Sequence, residues 1–183
     1  MIIDQQSYDC RGLHYIIRSA EIADAQAMSQ LRVQIDGETE YMDRERGEAY
    51  LSPDDFERVI KMDTEQSANL FLVAEAENKL IGYARCEGSE LKRLAHRAEF
   101  GIGVCKPYWG FRVGTELLRQ AIAWADANDI LKLSLSVLEC NTKALRLYEK
   151  HGFEIEGRLR NDKRLADGRL YDTIVMGRLR SQT

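Results

Sequence analysis

Residues 131–153, LKLSLSVLECNTKALRLYEKHGF, change hydrophobic period once and then stop on a glycine. Leu131, Leu133, Leu135 and Val137 alternate with lysine and serines, as one apolar face of an extended strand does. From about Thr142 to Lys150 the spacing is helical, and Gly152 suits the left-handed residue that closes a helix. A strand that feeds directly into a short capped helix places the chain among layered α/β folds.

The remaining elements follow from the same reading. His14 to Arg18 is a short strand, and Asp24 offers an N-cap to a helix carrying Ala27, Met28, Leu31 and Ile35 at helical spacing. Residues 36–52 lose periodicity and read as a charged loop, after which Ser52-Pro53 starts a second helix through Phe56, Val59 and Ile60. Leu70 to Ala76 and Leu80 to Cys86 are strands joined at Glu77-Asn78-Lys79, and Ala98 to Cys105 is a further strand that stops before Pro107. A glycine-punctuated turn from Tyr108 to Gly114 enters a helix with Val113, Leu117, Ala121, Trp124 and Ala125 on one face. Phe153 to Leu165 and Leu170 to Leu179 form a last hairpin around Asp167-Gly168. The predicted order is βααβββαβαββ.

A length of 183 residues suits one domain, taken as residues 13–183, with residues 1–12 as a flexible tail. A net charge of −4 lacks the basic field that draws proteins onto phosphate backbones, so nucleic acid is excluded as the main partner. Cys10, Cys86, Cys105 and Cys140 stand singly without metal-ligand spacing, so no metal is expected. With no leader pattern and no long apolar run, the expected setting is cytoplasmic and off the membrane.

Two segments carry chemistry. The turn Trp109, Gly110, Phe111, Arg112, Val113, Gly114 and Thr115 lies at a helix start, where unpaired N–H groups and the positive end of the dipole suit an anion such as a pyrophosphate; the same turn also occurs in proteins that bind nothing there. In the second segment Asn141, Leu145 and Tyr148 fall at i, i+4 and i+7, so amide and phenol face one cleft, or else Tyr148 is an ordinary core residue.

The string Leu135, Val137, Asn141, Ala144, Leu147, Tyr148, Lys150, Gly152, Phe153 resembles the signature segment of the GNAT N-acetyltransferases. The preceding GIGVCKPYWGFRVGTELL, with Val104, Pro107, Gly110 and Gly114, is similar to that superfamily's acyl-CoA-binding segment. The resemblance implies an α/β (α+β) acyl-CoA N-acyltransferase fold: a mixed, mostly antiparallel sheet splayed between the strands near 98–105 and 131–138, flanked by about four helices. It implies acetyl transfer from acetyl-CoA, without metal, to a primary amine: an amino acid or analogue, a polyamine or a protein N-terminus. It allows a homodimer. A catalytically degenerate acyl-CoA sensor is the alternative, because the family loop reads Q/RxxGxG/A and this chain places Trp109 at the polar position and Arg112 at the first glycine.

Residue roles come with the resemblance. An alkyl ammonium of pKa about 10.4 lies roughly 4.6 kcal/mol from its nucleophilic form at pH 7. Glu99 stands where many GNAT enzymes place a general base, Tyr148 corresponds to the general acid for the departing thiolate, and Ile102, Gly103 and Val104 would pair with the pantetheine arm. Asn141 and Ala144 join the donor-binding set, and Glu38, Glu40 and Tyr41 are expected near the amine. Arg112 either contacts phosphate or is solvated. His96 either relays a proton near Glu99 or is an exposed loop histidine, and the basic run Arg158, Arg160, Lys163 and Arg164 either holds the 3′-phosphate of CoA or an acidic substrate group or is a solvated hairpin.

Overall fold

The computed structural model of the protein describes residues 2–180. Eight strands form one sheet in the order β1-β2-β3-β4-β5-β6-β8-β7. They are β1 (Gln6–Cys10), β2 (Leu13–Ser19), β3 (Leu70–Ala76), β4 (Lys79–Gly88), β5 (Arg97–Val104), β6 (Lys132–Leu138), β7 (Glu154–Arg164) and β8 (Leu170–Leu179). Four α-helices flank the sheet: α1 (Ala25–Glu38), α2 (Pro53–Glu65), α3 (Val113–Ala127) and α4 (Thr142–Lys150). No helix among the described residues is long and apolar enough to cross a membrane.

Period-two patterning sorts the side chains onto two cores. Leu70, Leu72, Ala84, Cys86, Ala98 and Phe100 pack with Val113, Leu117, Leu118 and Tyr148 on the α3/α4 face. Phe71 and Val73 pack with Met28, Leu31, Ile35, Phe56 and Ile60 on the α1/α2 face. The helix starts explain themselves: the Ser52 hydroxyl accepts from Asp55 N while the Asp55 carboxylate accepts from Ser52 N, with Pro53 already fixed for the first turn.

The sheet is antiparallel except at β5 and β6, whose parallel pairing covers Arg97↔Lys132, Ala98↔Leu133 and Glu99↔Ser134 and then ends. Beyond Glu99 the strands part: β5 continues beside β4 to Val104, and β6 continues beside β8 to Leu138. The expected splay therefore begins at Glu99.

The N-terminus differs from expectation. Residues read as a tail include β1, which pairs with β2 from Gln6↔Ile17 to Cys10↔Leu13. The reversal rests on Arg11 and Gly12, both at positive φ (52° and 83°), and Tyr8 stacks on Tyr15 with centroids 5.4 Å apart. The charged loop is also shorter than predicted, since α1 runs on to Glu38.

Candidate active site

The splay positions the site. Because successive side chains of a strand face opposite sides, Phe100 points to the α3/α4 core and Glu99 to the α1/α2 side. Tyr148, on α4, meets Phe100 edge-on at 6.4 Å and Phe153 at 5.8 Å. The tyrosine is 7% exposed, and burial pushes its hydroxyl up to about 12. Glu99 is exposed and lies across from Glu87 in the β4–β5 register; Arg85 Nη1 donates to Glu87 at 2.7 Å, which offsets that pairing of like charges. Arg85 is itself held by the buried Asp63 of α2 at 2.5 and 3.0 Å, and Asn69 links Asp63 (2.7 Å) to Gly88 N (2.9 Å). The base of the splay is therefore braced by a satisfied ionic network.

Along β5 the glycines have different reasons. A Cβ on Gly103 would stand 2.8 Å from the Tyr83 ring, so the close approach of that ring requires glycine. A Cβ on Gly101 would meet nothing within 4 Å, which leaves open space over the strand on the Glu99 side. Ile102 and Val104 are half-buried and face the start of α3.

At that start, Glu116 N to Arg112 O (2.9 Å) is the first hydrogen bond of the helix, and no backbone acceptor takes the amides of Arg112, Val113, Gly114 or Thr115 among the described residues. Gly110 has φ 86° and Arg112 φ 63°, so the left-handed turn that a glycine would make is kept with arginine in its place. The Arg112 guanidinium folds back onto Glu116 at 2.9 Å. Trp109 donates its indole N–H to the Val104 carbonyl at 2.8 Å, so its donor ties the turn to the end of β5. Phe111 packs at the edge of the core. The cradle of free amides at the positive helix end fits a diphosphate, and the open edge of β5 fits an extended amide-bearing arm. Sequence reasoning missed Arg11, whose Nη1 lies 3.7 Å from where a Gly110 Cβ would stand, because only the β1–β2 turn brings it there.

Other expected residues have structural partners. Asn141 is the N-cap of α4 and accepts from Ala144 N at 3.3 Å, so it precedes the helix instead of lying on its face; Ala144 packs at the edge of the core. Glu38 accepts from Lys106 N (2.6 Å), Glu40 accepts from Ala166 N (2.8 Å), and Tyr41 stacks on Trp109 at 6.5 Å. These three fasten the α1–α2 loop to the donor turn and to the last hairpin. Lys163 pairs with Asp43 and Arg158 with Asp172 and Glu139, so the basic run is partly neutralised within the fold. The His96 side chain is exposed, and its carbonyl accepts from Leu131 N and Lys132 N. Burial pushes the Cys105 thiol up to about 11, as for a bystander, and no metal-holding cluster occurs among the described residues.

On the α1 side, Asp36 is gripped by Arg44 at 3.0 and 3.1 Å beside the half-buried Tyr83. Arg32 stands next to this pair with its Nη1 buried and without a hydrogen-bond partner among the described residues.

Comparison with known proteins agrees with this geometry. The sequence profile described as Acetyltransferase (GNAT) family matches residues 36–153. The L-amino acid N-acetyltransferase AaaT of Escherichia coli (strain K12) is 30% identical over 110 residues, which cover 60% of this chain and 67% of that protein. The crystal structure of an acetyltransferase of GNAT family from Streptococcus pneumoniae superposes with a TM-score of 0.87 at 29% identity, over 91% of this chain and 99% of that one. A GNAT superfamily phosphinothricin acetyltransferase from Sinorhizobium meliloti, solved in complex with acetyl-CoA, shares the fold with a TM-score of 0.78 at 19% identity, over 89% and 86% of the two chains.

Proposed function

The chain belongs to the GNAT acetyltransferase family, and from that premise we propose that it transfers the acetyl group of acetyl-CoA directly to a primary amine, such as a free amino acid or its analogue. The observation that carries this reading is the opening of the sheet after Glu99↔Ser134, with unpaired amides at Arg112 to Thr115 on one side of it and Tyr148 on the other. Acetyl-CoA supplies an activated thioester whose acyl carbon is attacked by the amine; the N–C bond forms as the C–S bond breaks. The residues that would hold it are Ile102 to Val104 along the open edge of β5, where the Val104 carbonyl already accepts from Trp109, and the Trp109 to Thr115 turn through the unpaired amides of Arg112 to Thr115.

Glu99 takes the proton that the ammonium must lose, directly or through one water, and its exposure keeps it reachable. Tyr148 faces the leaving sulfur. With a hydroxyl near 12 and an ordinary thiol near 8.5, complete transfer of the proton is uphill by about 5 kcal/mol. Tyr148 thus acts first as a hydrogen-bond donor to the sulfur as charge develops, and the proton follows at release. The phenol ring is held between the Phe100 and Phe153 rings, which limits the reorientation needed to present its hydroxyl.

Arg112 gives the sensor alternative little support, since it keeps the left-handed backbone conformation that a glycine would make in the loop. Free Cys10, Cys86, Cys105 and Cys140 support a reducing, cytoplasmic setting. The test is thiol release from acetyl-CoA across a panel of amines. Release that depends on the acceptor is expected; none with any acceptor would sink the proposal.

A further inference from the structure

Arg32 holds a guanidinium that the fold satisfies only in part: its Nε makes a long ion pair with Asp36, and its Nη1 has no hydrogen-bond partner among the described residues. It precedes Ile35 on α1 by one turn, and Ile35 Cδ1 lies 3.2 Å from where a Cβ on Gly103 would stand. Glu38, at the end of the same helix, reaches Lys106 N just past β5. The helix and the strand therefore run in the same direction, and Arg32 comes level with the stretch near Gly101, one helical turn matching between one and two strand residues.

Its natural partner is taken. Both Asp36 oxygens accept from Arg44, and Arg32 Nε stays 3.9 Å from Asp36. Arg32, Arg44 and Asp36 carry a net charge of +1, and the more weakly paired guanidinium is that of Arg32, whose Nη1 is buried and without a hydrogen-bond partner among the described residues. A buried charged donor left unmade is costly, and the planar fork of arginine matches a carboxylate. Gly101 opens onto empty space on this face and the Arg32 side chain keeps 12% of its surface exposed, so a carboxylate entering from that space reaches the buried Nη1 by a small turn of the guanidinium.

We propose that Arg32 recognises a carboxylate on the acceptor, so that the substrate is an α-amino acid or a close analogue and not a polyamine, an aminoglycoside or a peptide N-terminus. The inference rests on the acetyltransferase reading. Glu99 and Gly101 lie two residues apart on one face of β5, about 7 Å along the strand. An amino acid with its carboxylate at Arg32 presents its nitrogen across the Gly101 opening toward Glu99. A peptide carries an amide at that carbon and offers the fork no second oxygen anion.

The test compares amino acids with their own amides and their decarboxylated amines, by thiol release from acetyl-CoA. In the wild type kcat/KM for the acid exceeds that for the amide by about 10–100-fold. Arg32→Gln brings that ratio close to one through a raised KM for the acid, and Arg32→Lys, which keeps charge and loses the fork, falls between. Should Arg32→Gln not fold, Arg32→Lys alone carries the comparison. Equal use of acids and amides by the wild type, or a ratio unmoved by either variant, overturns the proposal. Acetylation confined to polyamines or peptides overturns it and leaves the acetyltransferase reading standing, whereas no thiol release with any amine overturns both. A second readout needs no turnover: Arg32→Met raises the Tm of the unliganded protein by about 2–4 °C. A fall of that size would mean that the fold already satisfies the guanidinium and would overturn the premise.

Discussion

The ring of Tyr148 meets Phe100 edge-on at 6.4 Å, and this contact ties α4 to β5 across the opening of the sheet. Packing and chemistry are separable there, because phenylalanine offers the same ring for the edge-on contact and lacks only the hydroxyl.

Tyr148→Phe is expected to keep that packing and to lower kcat by about 10²-fold or more, with stability changed by no more than about 1 kcal/mol. Steady-state thiol release and a urea melt measure the two effects. A kcat equal to the wild type's would remove Tyr148 from the chemistry.

The same hydroxyl sets an alkaline limit. Its folded value, about 12, is above the ordinary 10.0, so folding favours the protonated form. The contribution is complete below pH 10 and is lost between pH 10 and 12, as the unfolded chain ionises first. The full gap corresponds to about 3 kcal/mol. Urea midpoints at pH 9, 10 and 11 should fall, and Tyr148→Phe should fall less steeply; parallel slopes would contradict the burial assigned to this side chain.

Glu99→Gln keeps size and removes the base. At pH 7 kcat/KM is expected to drop by about 10²–10⁴-fold. The gap to the wild type should narrow toward pH 10, where the acceptor amine sheds its proton unaided. A pH–rate profile with a constant gap would assign the proton to another group.

Arg112 sits at φ 63° where the family places glycine. Arg112→Ala loses the ion pair to Glu116 and keeps a Cβ in the left-handed region, whereas Arg112→Gly relieves it. The glycine variant should be the more stable of the two by about 1 kcal/mol, by chemical denaturation, with acetyl-CoA KM close to the wild type's in both. A large rise in KM for both variants would instead give the guanidinium a role at the phosphates.

Most of the fold was legible because period and caps agree. The Ser52-Pro53 start, the Glu77-Asn78 reversal and the Leu133/Leu135/Val137 stripe each carry their own local signal. β1 was not, because QSYDC is short and polar, and its turn is Arg-Gly, a dipeptide without the usual asparagine or aspartate. The positions of Tyr148 and Glu99 followed from motif, yet their opposite faces on the opening needed the β5–β6 register. Arg32 could not have been singled out: its isolation depends on Arg44 folding back from an irregular loop to claim Asp36, which no spacing along α1 encodes. Glu38, Glu40 and Tyr41 were singled out, but their partners lie 68, 126 and 68 positions away in the chain, and no local spacing encodes those contacts.

The three-pair junction between β5 and β6 makes the sheet two panels on a hinge, five strands on one side and three on the other. Whatever occupies the gap touches both panels and so behaves as a missing rung of the ladder. Donor occupancy should accordingly slow amide exchange along both lips of the opening at once, and the empty enzyme should loosen there before its outer strands do.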